Sequence, residues 1–254
     1  MPAPENRFKR RLKSGGTQIG LWVALGDPSA AELCAQTGFD WLVIDGEHGP
    51  NGLRDVLAQL RAVGTASHPV VRVRDDDRAN IKQMLDIGAQ TILIPMIESA
   101  EQARQAVRSV LYPPQGVRGI GAALARASAY NAIPDYLQTA NDQICLLLQV
   151  ESRAGLDALD EILAVDGVDG IFIGPADLAA DLGHLGRPGD APVQEAVRDA
   201  LTRIRAAGRA AGILTSDRAL AKGYADMGVE FLAVGSDVGT LVSGLKALSD
   251  HFQK

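Results

Sequence analysis

The chain of 254 residues is long enough for one sizeable core, and barrels of roughly 250 residues are ordinary, so a single domain spanning residues 1–254 is expected. A formal net charge of −6 excludes nucleic acid and anionic membranes as main partners, because both attract basic surfaces. A hydrophobic content of 46% with only 4% aromatic residues suits a core of Leu, Ile, Val and Ala and argues against extensive disorder.

From the N-terminus, Arg7 to Lys13 is the one basic cluster. It alternates with Phe8 and Leu12 as a short amphipathic helix does, and is expected to close the bottom of the fold; an anion-binding arm is the functional alternative. The polar start lacks the apolar stretch of a signal peptide, and no apolar run reaches the roughly 18 residues that span a bilayer. Cys34 and Cys145 lie in apolar surroundings without CxxC spacing, so neither a disulfide nor a zinc site is suggested and a reducing cytoplasm is expected.

Eight apolar runs rich in Val, Ile and Leu then recur with helical stretches between them: Gln18 to Leu25, Trp41 to Asp45, Pro69 to Val73, Thr91 to Pro95, Ile144 to Val150, Gly170 to Ile173, Ala211 to Leu214, and Phe231 to Val234. Eight such units predict an α/β fold, the (β/α)8 TIM barrel. The intervening helices have readable ends: Ala30 to Gln36 stopped by Gly38, Asp76 to Asp86 stopped by Gly88, and a helix capped by Asp217 that runs through Met227. The segment Tyr112 to Gln138 interrupts the rhythm with several Pro and Gly residues, and is expected to be an active-site loop or a subunit contact. An open doubly wound sheet would require a Gly-rich phosphate turn after the first strand, which Leu25-Gly26-Asp27-Pro28 does not supply.

In a barrel the reactive groups project from the C-terminal strand ends, and those positions are polar here. Glu151, after strand five, and Asp177, after strand six, are the candidate ligands for a divalent cation, since hard ions are held by one or two carboxylates completed by water and substrate oxygens. Gln149 lies two residues before Glu151 and so shares its strand face, positioned for a substrate carboxylate or carbonyl. His48, in Asp45-Gly46-Glu47-His48 at the end of strand two, is the best placed of four histidines to act as general base. Either Asp45 or Asp86 could orient it. Arg72 interrupts the apolar run of strand three and must be paired or point into a polar mouth, where an enolate oxygen would suit it. All six lysines fall in helices or at termini, so a Schiff-base mechanism lacks its nucleophile, and a cation-stabilised enolate is the remaining common route to a carbanion.

Taken together, Phe39-Asp40-Trp41-Leu42-Val43-Ile44-Asp45-Gly46-Glu47-His48, Tyr112-Pro113-Pro114 with Gly116-Val117-Arg118-Gly119, Gln149-Val150-Glu151 and Ile173-Gly174-Pro175-Ala176-Asp177-Leu178 resemble the HpcH/HpaI aldolase family, the class II pyruvate aldolases, nearly end to end. The resemblance implies that His48 is the base, that Arg72 stabilises the enolate, that Glu151 and Asp177 hold Mg²⁺, Mn²⁺ or Co²⁺, and that Asp86 raises the basicity of the histidine. It places the pyruvate moiety against Gln149, Arg72 and the turn Gly174-Pro175-Ala176-Asp177. It further implies reversible aldol addition between pyruvate or hydroxypyruvate and an aldehyde, in a cytoplasmic hexamer whose barrels exchange the last helix, Val238 to Phe252. The alternative is a phosphoenolpyruvate- or citrate-lyase-like metal enzyme acting on a phosphorylated or CoA-linked substrate, which would want a basic pocket; Ser216-Asp217-Arg218 and Ser236-Asp237 are mixed in charge.

Overall fold

In the computed structural model, which describes residues 1–253 and leaves Lys254 outside the described residues, eight short strands pair in parallel and in chain order. They are β1 (Gln18–Val23), β2 (Trp41–Asp45), β3 (His68–Arg72), β4 (Thr91–Ile94), β5 (Cys145–Val150), β6 (Gly170–Ile173), β7 (Ala210–Leu214) and β8 (Phe231–Ser236). β8 returns to pair with β1, so the sheet has no free edge. The helices are α1 (Arg7–Ser14), α2 (Pro28–Ala35), α3 (Leu53–Val63), α4 (Arg78–Asp86), α5 (Ala100–Val110), α6 (Tyr136–Gln143), α7 (Arg153–Asp157), α8 (Leu159–Leu163), α9 (Pro175–Asp181), α10 (Ala191–Ala206), α11 (Arg218–Asp226) and α12 (Asp237–Phe252). The α/β barrel expected from the eight apolar runs is therefore the fold.

Alternation along each strand separates two apolar layers. Ile44, Val71, Ile92, Leu148 and Ile171 face outward into an aliphatic layer shared with the helices. Trp22, Val43, Val70, Leu93, Leu147 and Phe172 face inward. The low aromatic content concealed where the rings go. Phe8, Trp22, Trp41, Phe172 and Phe231 gather inside the barrel, with neighbouring centroids 5.4 to 6.0 Å apart. Glycine makes the room, since a Cβ at Gly20 or Gly212 would overlap the rings of Trp41 or Phe231.

At the N-terminal end α1 inserts Phe8 as a plug, stacked on His68 with centroids 5.4 Å apart. Asn6 fixes that helix by accepting from the Lys9 N–H at 2.9 Å and donating to the Thr91 hydroxyl at 3.0 Å. The expected helix closing the bottom is thus present.

Several boundaries differ from the sequence reading. β1 stops at Val23, because the N–H groups of Ala24 and Leu25 turn to the Asp237 carboxylate instead of a strand. β3 runs from His68 to Arg72, α2 starts at Pro28 behind an Asp27 cap, and α4 starts at Arg78 behind an Asp77 cap. Asp217 caps α11 as expected. The Tyr112–Gln138 insertion is not a loop over this barrel's own C-terminal mouth. It joins α5 to β5, and such helix-to-strand connections lie at the N-terminal end, where Arg118 donates to Asp86 at 2.8 Å and Arg126 to the Ile87 carbonyl at 2.9 Å.

Candidate active site at the C-terminal mouth

Strand parity places Asp45, Arg72 and Gln149 on the inner face, in the last layer before the barrel opens. Asp45 and Arg72 are direct neighbours across the β2–β3 ladder. Arg72 Nε donates to Asp45 Oδ1 at 2.9 Å and Nη2 to Oδ2 at 2.6 Å, a bidentate fork in a buried setting. The indole N–H of Trp22 also donates to Asp45, at 3.2 Å, and the guanidinium lies 5.1 Å from that ring's centroid. Burial pushes the Asp45 carboxyl up, but the bonds and charge of Arg72, with the N–H groups of Glu47 and His48, outweigh it and hold Asp45 below the usual carboxylate range.

Asp45 therefore fixes Arg72 and the backbone of the turn; it makes no bond to the His48 ring. Gly46 permits the turn, since its N–H donates to the Arg72 carbonyl at 2.8 Å and a Cβ there would meet that oxygen at 2.6 Å. His48 projects to solvent at the rim, with Nε2 3.8 Å from Glu47 Oε2. Asp86 does not reach it. The acid ends α4, and a helix that crosses back between parallel strands finishes at the N-terminal end, so within one chain Asp86 belongs to the bottom of the barrel and to Arg118.

Glu47 is the functional candidate that sequence reasoning missed. Its Oε2 lies 2.6 Å from Arg72 Nη1, completing a carboxylate clamp around the guanidinium. Burial raises the Glu47 carboxyl above its ordinary value, with the charges of Arg72 and His48 acting against that. The rule that paired Gln149 with Glu151 applies equally to Asp45 and Glu47, two residues apart at a strand end.

Glu151 is buried just past β5. Its Oε1 accepts from the Met96 N–H at 3.0 Å and its Oε2 from Gln149 Nε2 at 2.5 Å. Burial is the main reason its carboxyl is raised, and the nearby charges of Asp177 and Glu47 add to it. Gly174 makes the cradle, since a Cβ there would overlap the carboxylate. Pro175 opens α9, whose first internal bond is from the Leu178 N–H to the Gly174 carbonyl, so the amides of Ala176 and Asp177 precede it. The Asp177 side chain is exposed on that first turn.

The site tests well for a hard cation. Glu151 and Asp177 are close enough to feel each other's charge, Gln149 Oε1 is buried without a hydrogen-bond partner, and Glu47 Oε2 has only its ion-pair contact with Arg72. Among the described residues no three His, Cys, Asp or Glu side chains form a ligand cluster. Two carboxylates, with the remaining positions left to substrate and water oxygens, would suit a Mg²⁺-like ion. In the loops after β7 and β8, Asp217 is spent on the α11 amides, and Asp237 on Ala24 and Leu25. The five described lysines all lie on helices, none at a strand end.

A closed barrel whose mouth gathers an oriented arginine, a rim histidine and a pair of acids, with no lysine placed to form an imine, defines a barrel enzyme of the acid–base, non-imine class. Comparison with known proteins narrows this. The HpcH/HpaI aldolase/citrate lyase model matches residues 18–244. The hydroxypyruvate/pyruvate aldolase of Roseovarius nubinhibens is 62% identical over 94% of this chain and 93% of its own. The 4-hydroxy-2-oxo-heptane-1,7-dioate aldolase of Escherichia coli is 53% identical over 98% and 95%. A crystal structure of an HpcH/HpaI aldolase/citrate lyase family protein from Burkholderia cenocepacia superposes with a TM-score of 0.94 at 42% identity, over 98% of this chain and all of that one. The chain belongs to the HpcH/HpaI aldolase/citrate lyase family. It is a carbon–carbon lyase of the aldolase type.

Proposed function

We propose that this aldolase depends on a divalent metal and reversibly joins pyruvate or hydroxypyruvate to an aldehyde, giving 4-hydroxy-2-oxo acids. The observation that carries the reading is the convergence of buried Glu151 and nearby Asp177 on the same mouth as the clamped Arg72. Glu151 and Asp177 would hold Mg²⁺, Mn²⁺ or Co²⁺, and the ion when bound supplies Lewis-acid polarisation of the 2-oxo acid.

Arg72 has five N–H groups; two are taken by Asp45, and Glu47 Oε2 pairs with the guanidinium 2.6 Å from Nη1. The N–H groups that Asp45 does not engage, held in a fixed plane, can meet an oxygen that becomes negative as the enolate develops. In cleavage His48 accepts the proton of the C4 hydroxyl as the bond between C3 and C4 breaks, releasing the aldehyde; in condensation it returns that proton to the new alkoxide. Gln149, the turn Gly174-Pro175 and the amides of Ala176 and Asp177 would seat the substrate carboxylate, as oriented N–H groups do at other anion sites.

Assembly belongs to the same reading. α12 exposes Leu241, Val242, Leu245, Leu248 and Phe252, an apolar stripe that fits exchange of the last helix within a hexamer. Asp86, at the bottom of its own barrel, could orient a His48 only from a neighbouring copy. Two free cysteines fit a cytoplasmic setting, and no helix among the described residues is long and apolar enough to cross a membrane.

Exchange of the pyruvate methyl protons in D2O tests the proposal without any need to know the aldehyde. Exchange should vanish with EDTA or in Glu151→Gln and return to the wild type when Mg²⁺, Mn²⁺ or Co²⁺ is restored. Exchange that survives complete metal removal would overturn it. A screen of both donors against simple aldehydes then fixes the substrate pair.

A further inference from the structure

The barrel's other end holds a cavity of about 890 Å³ beneath the Phe8 plug. Arg7, Arg10, Arg11 and Arg126 contribute to its walls. Two of these are neutralised: Arg10 pairs with Glu5 at 2.8 Å and Arg11 with Asp40 at 2.6 Å. Arg7 and Arg126 have no carboxylate within ion-pair distance among the described residues. The lining therefore carries two uncompensated positive charges on a protein whose net charge is −6.

Arg126 is held in place. Its Nη1 donates to the Ile87 carbonyl at 2.9 Å, and the guanidinium lies across Gly88, where any side chain would overlap it. Gly88 has φ +104°, a conformation that also favours glycine. Burial lowers the affinity of Arg126 for its own proton, and the charge of Arg61, which has no carboxylate partner among the described residues, adds to this. Fixing like charges near one another is unfavourable unless a counter-charge arrives.

His68 adds a neutral polar group. Its Nε2 lies 2.8 Å from the Thr91 hydroxyl, which already accepts a bond from Asn6. The hydroxyl can donate one bond and accept two, so it can hold Asn6 and the imidazole together. The imidazole also lines the cavity.

We propose that this cavity is a second ligand site, distinct from the catalytic mouth, that binds a small dianion bearing a phosphate group or two carboxylates. Arg126 and Arg7 supply the charge, with planar N–H geometry that matches either oxyanion, and the His68 imidazole lines the same space. The basic stretch that begins at Arg7 thus both closes the barrel, through Phe8, and recruits the anion.

The test titrates full-length, metal-stripped protein with inorganic phosphate and, separately, with succinate, at constant ionic strength so that screening does not mimic binding. Heat and the His68 ring-proton NMR shift are the readouts. Saturable binding of at least one probe is expected, and the stronger one identifies the ligand as phosphate-like or dicarboxylate-like. Arg126→Gln and Arg7→Gln should each weaken it about tenfold. Arg7 is on an exposed helix face, so its replacement reports even if Arg126→Gln disturbs folding. His48→Gln, in the mouth, should bind the probe as the wild type does. Absence of saturable binding, unchanged affinity in both arginine variants, loss of binding in His48→Gln, or binding that appears only after the protein is dissociated into single chains would each overturn the proposal.

Discussion

Both ends of this barrel gather arginines, and the two ends treat them differently. At the C-terminal mouth Arg72 is buried and clamped by Asp45 and Glu47, at 2.6 Å each. At the N-terminal end Arg7 and Arg126 face a cavity with no such partners. A paired arginine is an aimed group whose orientation is decided before substrate arrives; an unpaired one awaits a counter-charge. Between them lies the aromatic interior, which fixes the shape but contributes no reacting group. The comparison implies that changes at the mouth alter turnover more than folding, and changes in the interior and below alter folding more than turnover.

The widest expected separation is His48→Gln, which should lower kcat/KM by about 10² to 10⁴ while leaving the urea midpoint nearly unchanged, because the side chain is exposed. Arg72→Lys should cost about 10² to 10³ in turnover, since an ammonium cannot reproduce the bidentate fork. It should also lower stability measurably, because Asp45 keeps a buried charge with a poorer partner. Phe231→Ala is the converse: a loss of about 3 to 5 kcal/mol in unfolding free energy, with turnover per folded molecule within a few-fold of wild type. A Phe231→Ala protein that folds well and yet turns over poorly would break the division between the two ends.

Smaller effects sharpen it through pH. Asp45 is held below the usual carboxylate range in the folded protein, so its contribution to stability is fully present above the unfolded value, about 4, and is lost as pH falls through the lower folded value. Urea denaturation should therefore show the gap between wild type and Asp45→Asn narrowing only in acid below that point. His68 acts in the same direction over a higher pH window. Burial and Arg7 lower its pKa to about 4, so the unfolded chain takes up the proton first and stability declines as pH falls from about 6.5 towards 4. Its ring resonances should titrate near 4, and a midpoint near the ordinary histidine value would contradict the packing described around it.

The sequence made the strands legible because each is apolar on both faces and bounded by turn residues, and the same parity brought Gln149 and Glu151 to one place. It did not carry the parity past the end of β2, which is why Glu47 was overlooked although it stands two residues beyond Asp45. The active-site-loop reading of the insertion after Tyr112 fails for this barrel's own mouth because the segment follows a helix that has already returned to the N-terminal end, and Asp86 ends α4 at that same end, out of reach of the His48 of its own chain. The cavity there was not legible, because Arg7, His68, Gly88 and Arg126 come from separate connections that only barrel closure brings together.

Gly174 bears on how such a pocket can diversify over generations. Any inherited side chain at that position would collide with Glu151, so this close approach tolerates little experiment. Leu214, half-buried at the end of β7, meets no such obstacle. A lineage can then exchange rim residues to welcome new aldehydes while keeping inherited chemistry intact, and novelty accumulates around an unchanging centre.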